Sequence, residues 1–185
     1  MLKKTIPIEI SARHIHLSQK DLDKLFGKNY SLKKMRDLSQ SGEFATVEQV
    51  ECKKIKFRIV GPLRNESQIE ISRTESIKLK INPPLKLSGD LKDVETFLTV
   101  QGPKGKAKIK IIVAKRHLHC SFEEAKKMGL KQNQKIKVAV AGERGLIFDN
   151  VIVRAGKSYH TACHIDTDEA NACGLDKICG VGKIV

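Results

Sequence analysis

The chain has 185 residues, 35 Lys or Arg against 21 Asp or Glu, which gives a net charge of +14 with histidine neutral and a pI near 9.6. That length allows one large domain or two small ones, and a composition of 40% apolar and 30% charged residues, with no apolar run near the roughly 18 residues of a membrane helix, excludes a spanning helix. Trp is absent and aromatics are 4%, too few for a nucleic-acid stacking platform, while five Cys (Cys52, Cys120, Cys163, Cys173, Cys179) with no CxxC pair argue for a reduced, cytoplasmic protein.

In chain order, the basic start Met1-Leu-Lys-Lys carries neither a signal-length apolar core nor a small-residue cleavage site, so no targeting segment is read. A β-rich run at 6–10 enters Ser11-Ala-Arg-His-Ile-His-Leu-Ser18, and Ser18 with Asp21 three places on reads as a capping box opening a short helix. Segments 47–50, 55–60, 68–71 and 77–81 then read as short strands between Gly, Pro, Asn and Ser turns. Asn82-Pro-Pro-Leu-Lys-Leu-Ser-Gly89 looks like a connection, which sets a module boundary near residue 85 and modules at 1–85 and 86–185.

Beyond it, 91–100 and 107–113 are again β-like, and the run at 109–113 enters Ala114-Lys-Arg-His-Leu-His-Cys-Ser121, with Glu124 three places past Ser121. Strands follow at 135–141, 146–153 and 159–165, with turns at Gly142-Glu-Arg-Gly145 and Ala155-Gly156. The two His-x-His motifs are copies of one module, His117 lying 103 residues after His14. The expected fold is mainly β with short capping helices, built as two duplicated small β-barrel modules.

In a strand, residues i and i+2 share a face about 7 Å apart, so both imidazoles of His14/His16 or His117/His119 can converge on one ion. Glu70-Ile-Ser-Arg-Thr-Glu75 and His164-Ile-Asp-Thr-Asp-Glu169 occupy matching places near each module's end, so Glu70 and His164 are the expected third ligands. His, His, Glu and His, His, His are both zinc triads that leave a position open for substrate. One His-x-His is a weak signal, since a histidine is more often a satisfied polar residue; two copies with aligned third ligands are a strong one.

Cys120 and Cys163 point to the opposite face from their neighbouring histidines and read as buried apolar residues. His160, four before His164, shares its face if the strand is regular, but reads better as a surface histidine. His117-Leu-His-Cys-Ser-Phe-Glu123 has cupin spacing, but copy one has Lys20 at the Glu123 position, and Glu123 reads as an acid in a helix first turn. Arg64 of Gly61-Pro-Leu-Arg64 lies a turn before Glu70 and offers a planar fork for phosphate or carboxylate. These features point to an anionic substrate held by metal, Arg64 and a basic surface.

The ordered series Ser11-Ala-Arg-His-Ile-His-Leu-Ser, Asp37-Leu-Ser-Gln, Gly61-Pro-Leu-Arg, Glu70-Ile-Ser-Arg-Thr, Ser88-Gly-Asp, Arg116-His-Leu-His, Gly142-Glu-Arg-Gly-Leu-Ile-Phe-Asp-Asn-Val and His164-Ile-Asp-Thr-Asp-Glu-Ala-Asn171 resembles the PduL-type phosphotransacylases (phosphate propanoyltransferases) over nearly the whole chain. The resemblance implies two β-barrel modules with the active site, a dinuclear zinc site, between them. It also implies the reaction acyl-CoA + phosphate ⇌ acyl phosphate + CoA for a short acyl group, acetyl or propanoyl. By it, His14, His16 and Glu70 would hold one zinc and His117, His119 and His164 the other, and Arg64 would bind phosphate as the catalytic residue. Ile10, Ser11, Ala12, Arg58 and Asn171 would contact coenzyme A, with Lys53 or Lys54 in place of a family lysine.

The basic surface then matches the phosphate charges of CoA through electrostatic steering. Basic residues are scattered among acids and no nucleic-acid motif is present, so no nucleic-acid or membrane partner is expected. A homodimer is implied by the resemblance. The family's microcompartment-targeting extension is not seen before the first motif, so a location free in the cytoplasm is expected. The competing functions are a zinc-dependent thioester or phosphoester hydrolase and a non-catalytic metal- or anion-binding module.

Overall fold

Alternating apolar residues decide which face of each strand turns inward: Ile6 and Ile8 are buried while Thr5 and Pro7 face out, and Ala107, Ile109 and Ile111 are buried while Lys106 and Lys108 face out. The computed structural model describes residues 5–176 and 179–185; the basic start at 1–4 lies outside the described residues. In chain order the elements are β1 (Thr5–Ser11), β2 (His14–His16), α1 (Gln19–Phe26), β3 (Lys34–Asp37), β4 (Phe44–Cys52), β5 (Ile55–Gly61), β6 (Gln68–Ile71), α2 (Arg73–Leu79), β7 (Leu85–Lys86), β8 (Phe97–Gln101), β9 (Lys106–Ala114), β10 (His117–Cys120), α3 (Phe122–Met128), β11 (Lys135–Val140), β12 (Leu146–Ala155), β13 (Ala162–Asp166), α4 (Thr167–Ala172) and β14 (Cys179–Ile184).

Two compact units result. The first, from residues 5–12, 39–41 and the described part of 115–185, is a closed six-stranded barrel in the order β1, β13, β10, β12, β11, β14. Its core includes Ile6, Ile8, Leu118, Val138, Val151, Val153, Cys163 and Ile165. The second, from 13–38 and 42–114, carries a sheet in which β9, β6, β2, β5, β4 and β8 follow the same order. Its ring closes through the pair Glu51 and Gln101 between β4 and β8, with β3 and β7 added at β4 and β9. Ile15, Phe57, Ile59, Ile69, Ile109 and Ile111 fill its core.

The strand directions repeat as well as the order. β1 with β13 and β9 with β6 are parallel, β10 with β13 and β2 with β6 antiparallel, and β10 with β12 and β2 with β5 parallel. The mainly β, duplicated-barrel architecture expected from the sequence is therefore present. The chain leaves the first unit after Ala12 and the second after Ala114, in each case just before its Arg-His-x-His. The strand leading into each His-x-His consequently pairs with the third-ligand strand of the other copy, β1 with β13 and β9 with β6.

These units do not follow a cut at residue 85, because β8 and β9 hydrogen-bond into the sheet of β4 and β6. Four further local expectations are corrected. In place of a 77–81 strand, residues 77–79 are the last turn of helix α2 and Lys80 its C-cap: Ser72 and Glu75 form a capping box, and β-like periodicity yields to the satisfied helix start. In the 91–100 stretch only β8 is strand, and β13 begins at Ala162 rather than 159. Ser121 and Glu124 complete the expected box at α3, whereas at α1 Ser18 accepts from the Asp21 N–H and the Asp21 carboxylate instead takes the Ser67 hydroxyl. Among the described residues no helix is long and apolar enough to cross a membrane.

Candidate metal centres

β2 lies between β5 and β6, with His14 opposite Glu70 and His16 opposite Gln68. The two-residue period sends His14 and His16 to one face and Ile15, fully buried, into the core. His14 Nε2 and His16 Nε2 are 3.2 Å apart, and Glu70 Oε1 is 3.6 Å from the first and 3.8 Å from the second. Zinc bonds of about 2.0–2.2 Å give a tetrahedral donor–donor edge of about 3.3–3.6 Å, and the three separations bracket that edge closely.

The surroundings keep His16 and Glu70 in their ligating forms. Burial, then His14 and Arg64, push the His16 imidazole well below its ordinary value. Burial alone would push the Glu70 carboxyl up, but His14, His16 and the Ser88 hydroxyl hold it well below the usual carboxylate range. A neutral imidazole and an ionised carboxylate both present lone pairs. His16 Nδ1 lies 3.1 Å from the Val60 carbonyl, and the Gln68 amide donates to Glu70 Oε1 and to Ser88 Oγ at 2.8 Å, while Gln68 Oε1 accepts from the Gly89 N–H at 2.9 Å. These contacts aim the ligands.

The other unit repeats the arrangement. β10 lies between β12 and β13 with His117 opposite His164, and the ligand atoms of His117, His119 and His164 all lie within 4.8 Å of one another. His117 Nδ1 faces the Lys115 carbonyl at 2.9 Å, and the Tyr159 ring stacks on His119 with centroids 4.2 Å apart. Both donor sets read from the sequence are thus gathered, each in its own unit.

Arg64 stands on the loop after β5, its backbone N–H donating to the Leu17 carbonyl at 2.9 Å. Its guanidinium donates to Ser88 Oγ at 3.1 Å and to Glu43 Oε1 at 3.3 Å, the same Ser88 that the Gln68 amide holds beside Glu70. Arg58 pairs with His14 across β5 and β2 and donates to the Thr46 carbonyl at 2.6 Å. Lys53, in the β4–β5 turn, reaches the Leu79 carbonyl at 3.1 Å instead. In the other unit Ile10 and Ser11 pair with Ile165 and Asp166, the latter capping α4, on which Asn171 is exposed; exposed Ala12 follows β1.

Cys120 and Cys163 are buried and turned into the barrel core, and burial raises both thiols, Cys163 to about 12, so neither supplies a thiolate. His160 lies before β13 and is exposed, so the shared strand face does not arise. Glu123 is exposed in the first turn of α3, outside both donor groups. Sequence reasoning missed the supporting roles of Gln68, Ser88 and Glu43. Gln68, two residues before Glu70 and 1% exposed, carried a signal in the same period-2 rule that found the histidines.

Two six-stranded rings of one topology, each holding a strand-borne group of three metal-ligand side chains, define a duplicated-barrel protein with a pair of candidate metal centres. The model of the phosphate propanoyltransferase family matches residues 7–176. A phosphate propanoyltransferase of Clostridioides difficile is 42% identical over 178 residues, covering 93% of this chain and 85% of the relative. Those of Rhodobacter capsulatus and Thermotoga maritima are each 41% identical, over 97% and 92% of this chain and 87% and 85% of theirs. The chain belongs to the phosphate propanoyltransferase family and is an acyltransferase.

Proposed function

We propose that the protein catalyses acyl-CoA + phosphate ⇌ acyl phosphate + CoA for short acyl groups, acetyl or propanoyl, with two zinc ions per chain. His14, His16 and Glu70 would hold one ion and His117, His119 and His164 the other. The observation that carries this reading is the position of Arg64: a basic planar fork, close enough to His16 to shift its titration, and resting on Ser88 and Glu43 beside a group of donors with zinc spacing. Zinc bound there would supply Lewis acidity toward a thioester carbonyl and a departing thiolate.

The chain's own residues do the positioning. Arg64 exchanges its contacts to Ser88 and Glu43 for two phosphate oxygens, which orients phosphate as nucleophile and spreads its charge over a guanidinium. A phosphate oxygen then forms a bond to the acyl carbon, the carbon–sulfur bond breaks, and the sulfur leaves as CoA thiolate. Arg58, Lys53, Asn171 and the segment 10–12 are the residues proposed to bind CoA, whose phosphates match the net charge of +14.

The test is CoA thiol release from acetyl-CoA and propanoyl-CoA with and without phosphate, before and after a chelator. Release that requires both phosphate and metal is expected, and Arg64→Ala lowers kcat/KM for phosphate by about 10–100-fold with zinc content unchanged, the worth of a charge-assisted bidentate contact. Phosphate-independent release would make the protein a hydrolase, and absence of release would favour a binding module.

A further inference from the structure

The two donor sets differ in composition: one has two imidazoles and the Glu70 carboxylate, the other three imidazoles. The carboxylate missing from the second set stands one strand away. In the parallel pair β1 and β13, Glu9 is the register partner of His164, whereas in the matching pair β9 and β6 the partner of Glu70 is Ile112, fully buried. Glu9 and Ile112 each lie five residues before the first His of their motif, so they are the same position of the repeat. Where the third ligand is acidic its neighbour is apolar, and where it is histidine its neighbour is acidic.

Glu9 Oε2 lies 3.8 Å from His164 Nδ1 and also accepts a hydrogen bond from Ser39 Oγ. The next residue, Gln40, is 3% exposed and holds the backbone of His160 from both sides, donating to its carbonyl at 3.1 Å and accepting its N–H at 3.2 Å. Residues 39–41 belong to the barrel unit although their chain neighbours do not. At His16 and His117 the group facing Nδ1 is a backbone carbonyl, at 3.1 and 2.9 Å. At His164 a carboxylate stands beside Nδ1.

We propose that Glu9, held by Ser39, is the positioning residue of His164: its carboxylate fixes the Nδ1–H tautomer, leaves Nε2 to carry the lone pair, and supplies the negative charge that a three-imidazole zinc set lacks. This rests on the reading that His117, His119 and His164 bind zinc. A carboxylate behind a metal-bound imidazole raises its basicity and fixes its ring, and loss of such a partner costs about 10–100-fold in metal affinity.

The experiment is competition between the zinc-loaded protein and a chromophoric chelator, which reads two zinc affinities per chain, on wild type, Glu9→Gln, Glu9→Ala and Ser39→Ala. Glu9→Ala is expected to weaken one affinity by about 10–100-fold and leave the other within about twofold, Glu9→Gln to lose less because its amide oxygen still accepts, and Ser39→Ala to weaken the same site by a smaller factor. In long-range proton–nitrogen spectra of the loaded protein the His164 ring signals move in Glu9→Ala while those of His14 and His16 stay. Two unchanged affinities with an unmoved His164 signal overturn the proposal. If Glu9→Ala does not fold, an unchanged affinity in Ser39→Ala overturns it. A wild type that binds fewer than two zinc ions fails the underlying zinc reading, and the proposal with it; two bound ions indifferent to Glu9 fail the proposal alone.

Discussion

Arg13 Nη1 meets Glu75 Oε1 at 2.7 Å. One repeat later Arg116 Nε meets Glu169 Oε1 at 3.0 Å, and in both copies the glutamate closes the capping box of the helix that follows the third-ligand strand. The arginine before each His-x-His thus ties the strand of the first two ligands to the helix after the third. Arg13 also donates from Nε to the Lys56 carbonyl at 2.9 Å, which fastens the start of β2 to β5.

Arg13→Ala is expected to lower stability by about 1 kcal/mol, a modest figure because the side chain is half-exposed and solvent screens the pair. The urea midpoint with an unchanged slope checks it. A loss above about 3 kcal/mol would mean that the arginine does more than bind Glu75 and Lys56.

Much of the candidate site was legible because a strand's period of two is written in the chain itself. His14 with His16, and His117 with His119, needed no tertiary information, and the repeat set Glu70 and His164 at matching places near the end of each module. Pairing partners were not legible. Alternation says which face of β1 is apolar, but nothing local says that Ile8 pairs with Cys163 or that β9 lies beside β6. The boundary at 85 failed for that reason, and Glu9 went unnoticed because its partner His164 is remote in sequence. The helix α2 was legible in principle from Ser72 and Glu75, but the apolar pair Ile77 and Leu79 matched a strand equally well over so short a run.

Gln68 offers a test of the support behind Glu70. Its amide touches Glu70, Ser88 and the Gly89 N–H and is nearly fully buried, so Gln68→Ala takes one hydrogen bond from each of three polar groups at once. Zinc affinity at the centre of His14, His16 and Glu70 is expected to fall by about 10–100-fold, measured by chelator competition, with the other centre unaffected. Equal weakening of both centres would show a global loss of structure instead.

Gly61 tests the route from packing to Arg64. It pairs with Phe44 across β4 and β5, and a Cβ placed on it would run into the Phe44 ring. Gly61→Ala is expected to destabilise by about 1–3 kcal/mol, the usual cost of overpacking. Phe44 is followed back along the chain by Glu43, which holds Arg64, so displacement of the ring also disturbs the guanidinium. The KM for phosphate should therefore rise in this variant, and a rise absent in steady-state assays would mean that the Arg64 loop absorbs the shift.

Glu48 carries a pH-dependent part of the stability and belongs to neither donor set. It is 7% exposed, and its carboxylate accepts from the Tyr30 hydroxyl at 2.8 Å and from the Lys33 N–H at 3.0 Å. Burial pushes its carboxyl up, but the Tyr30 hydroxyl and backbone N–H groups outweigh burial and hold it below its ordinary value near 4.5. A folded value below the unfolded one means that the unfolded chain binds the proton more tightly, so the contribution is present above about pH 4.5 and is lost as pH falls through the lower folded value. Glu48→Gln should accordingly cost about 1–3 kcal/mol at pH 7, the range for hydrogen bonds to a charged group, and the gap to wild type should narrow below about pH 4.5. Urea unfolding of both proteins across that range measures the gap; a constant difference from pH 7 to pH 3 would show that packing rather than ionisation carries the role of Glu48.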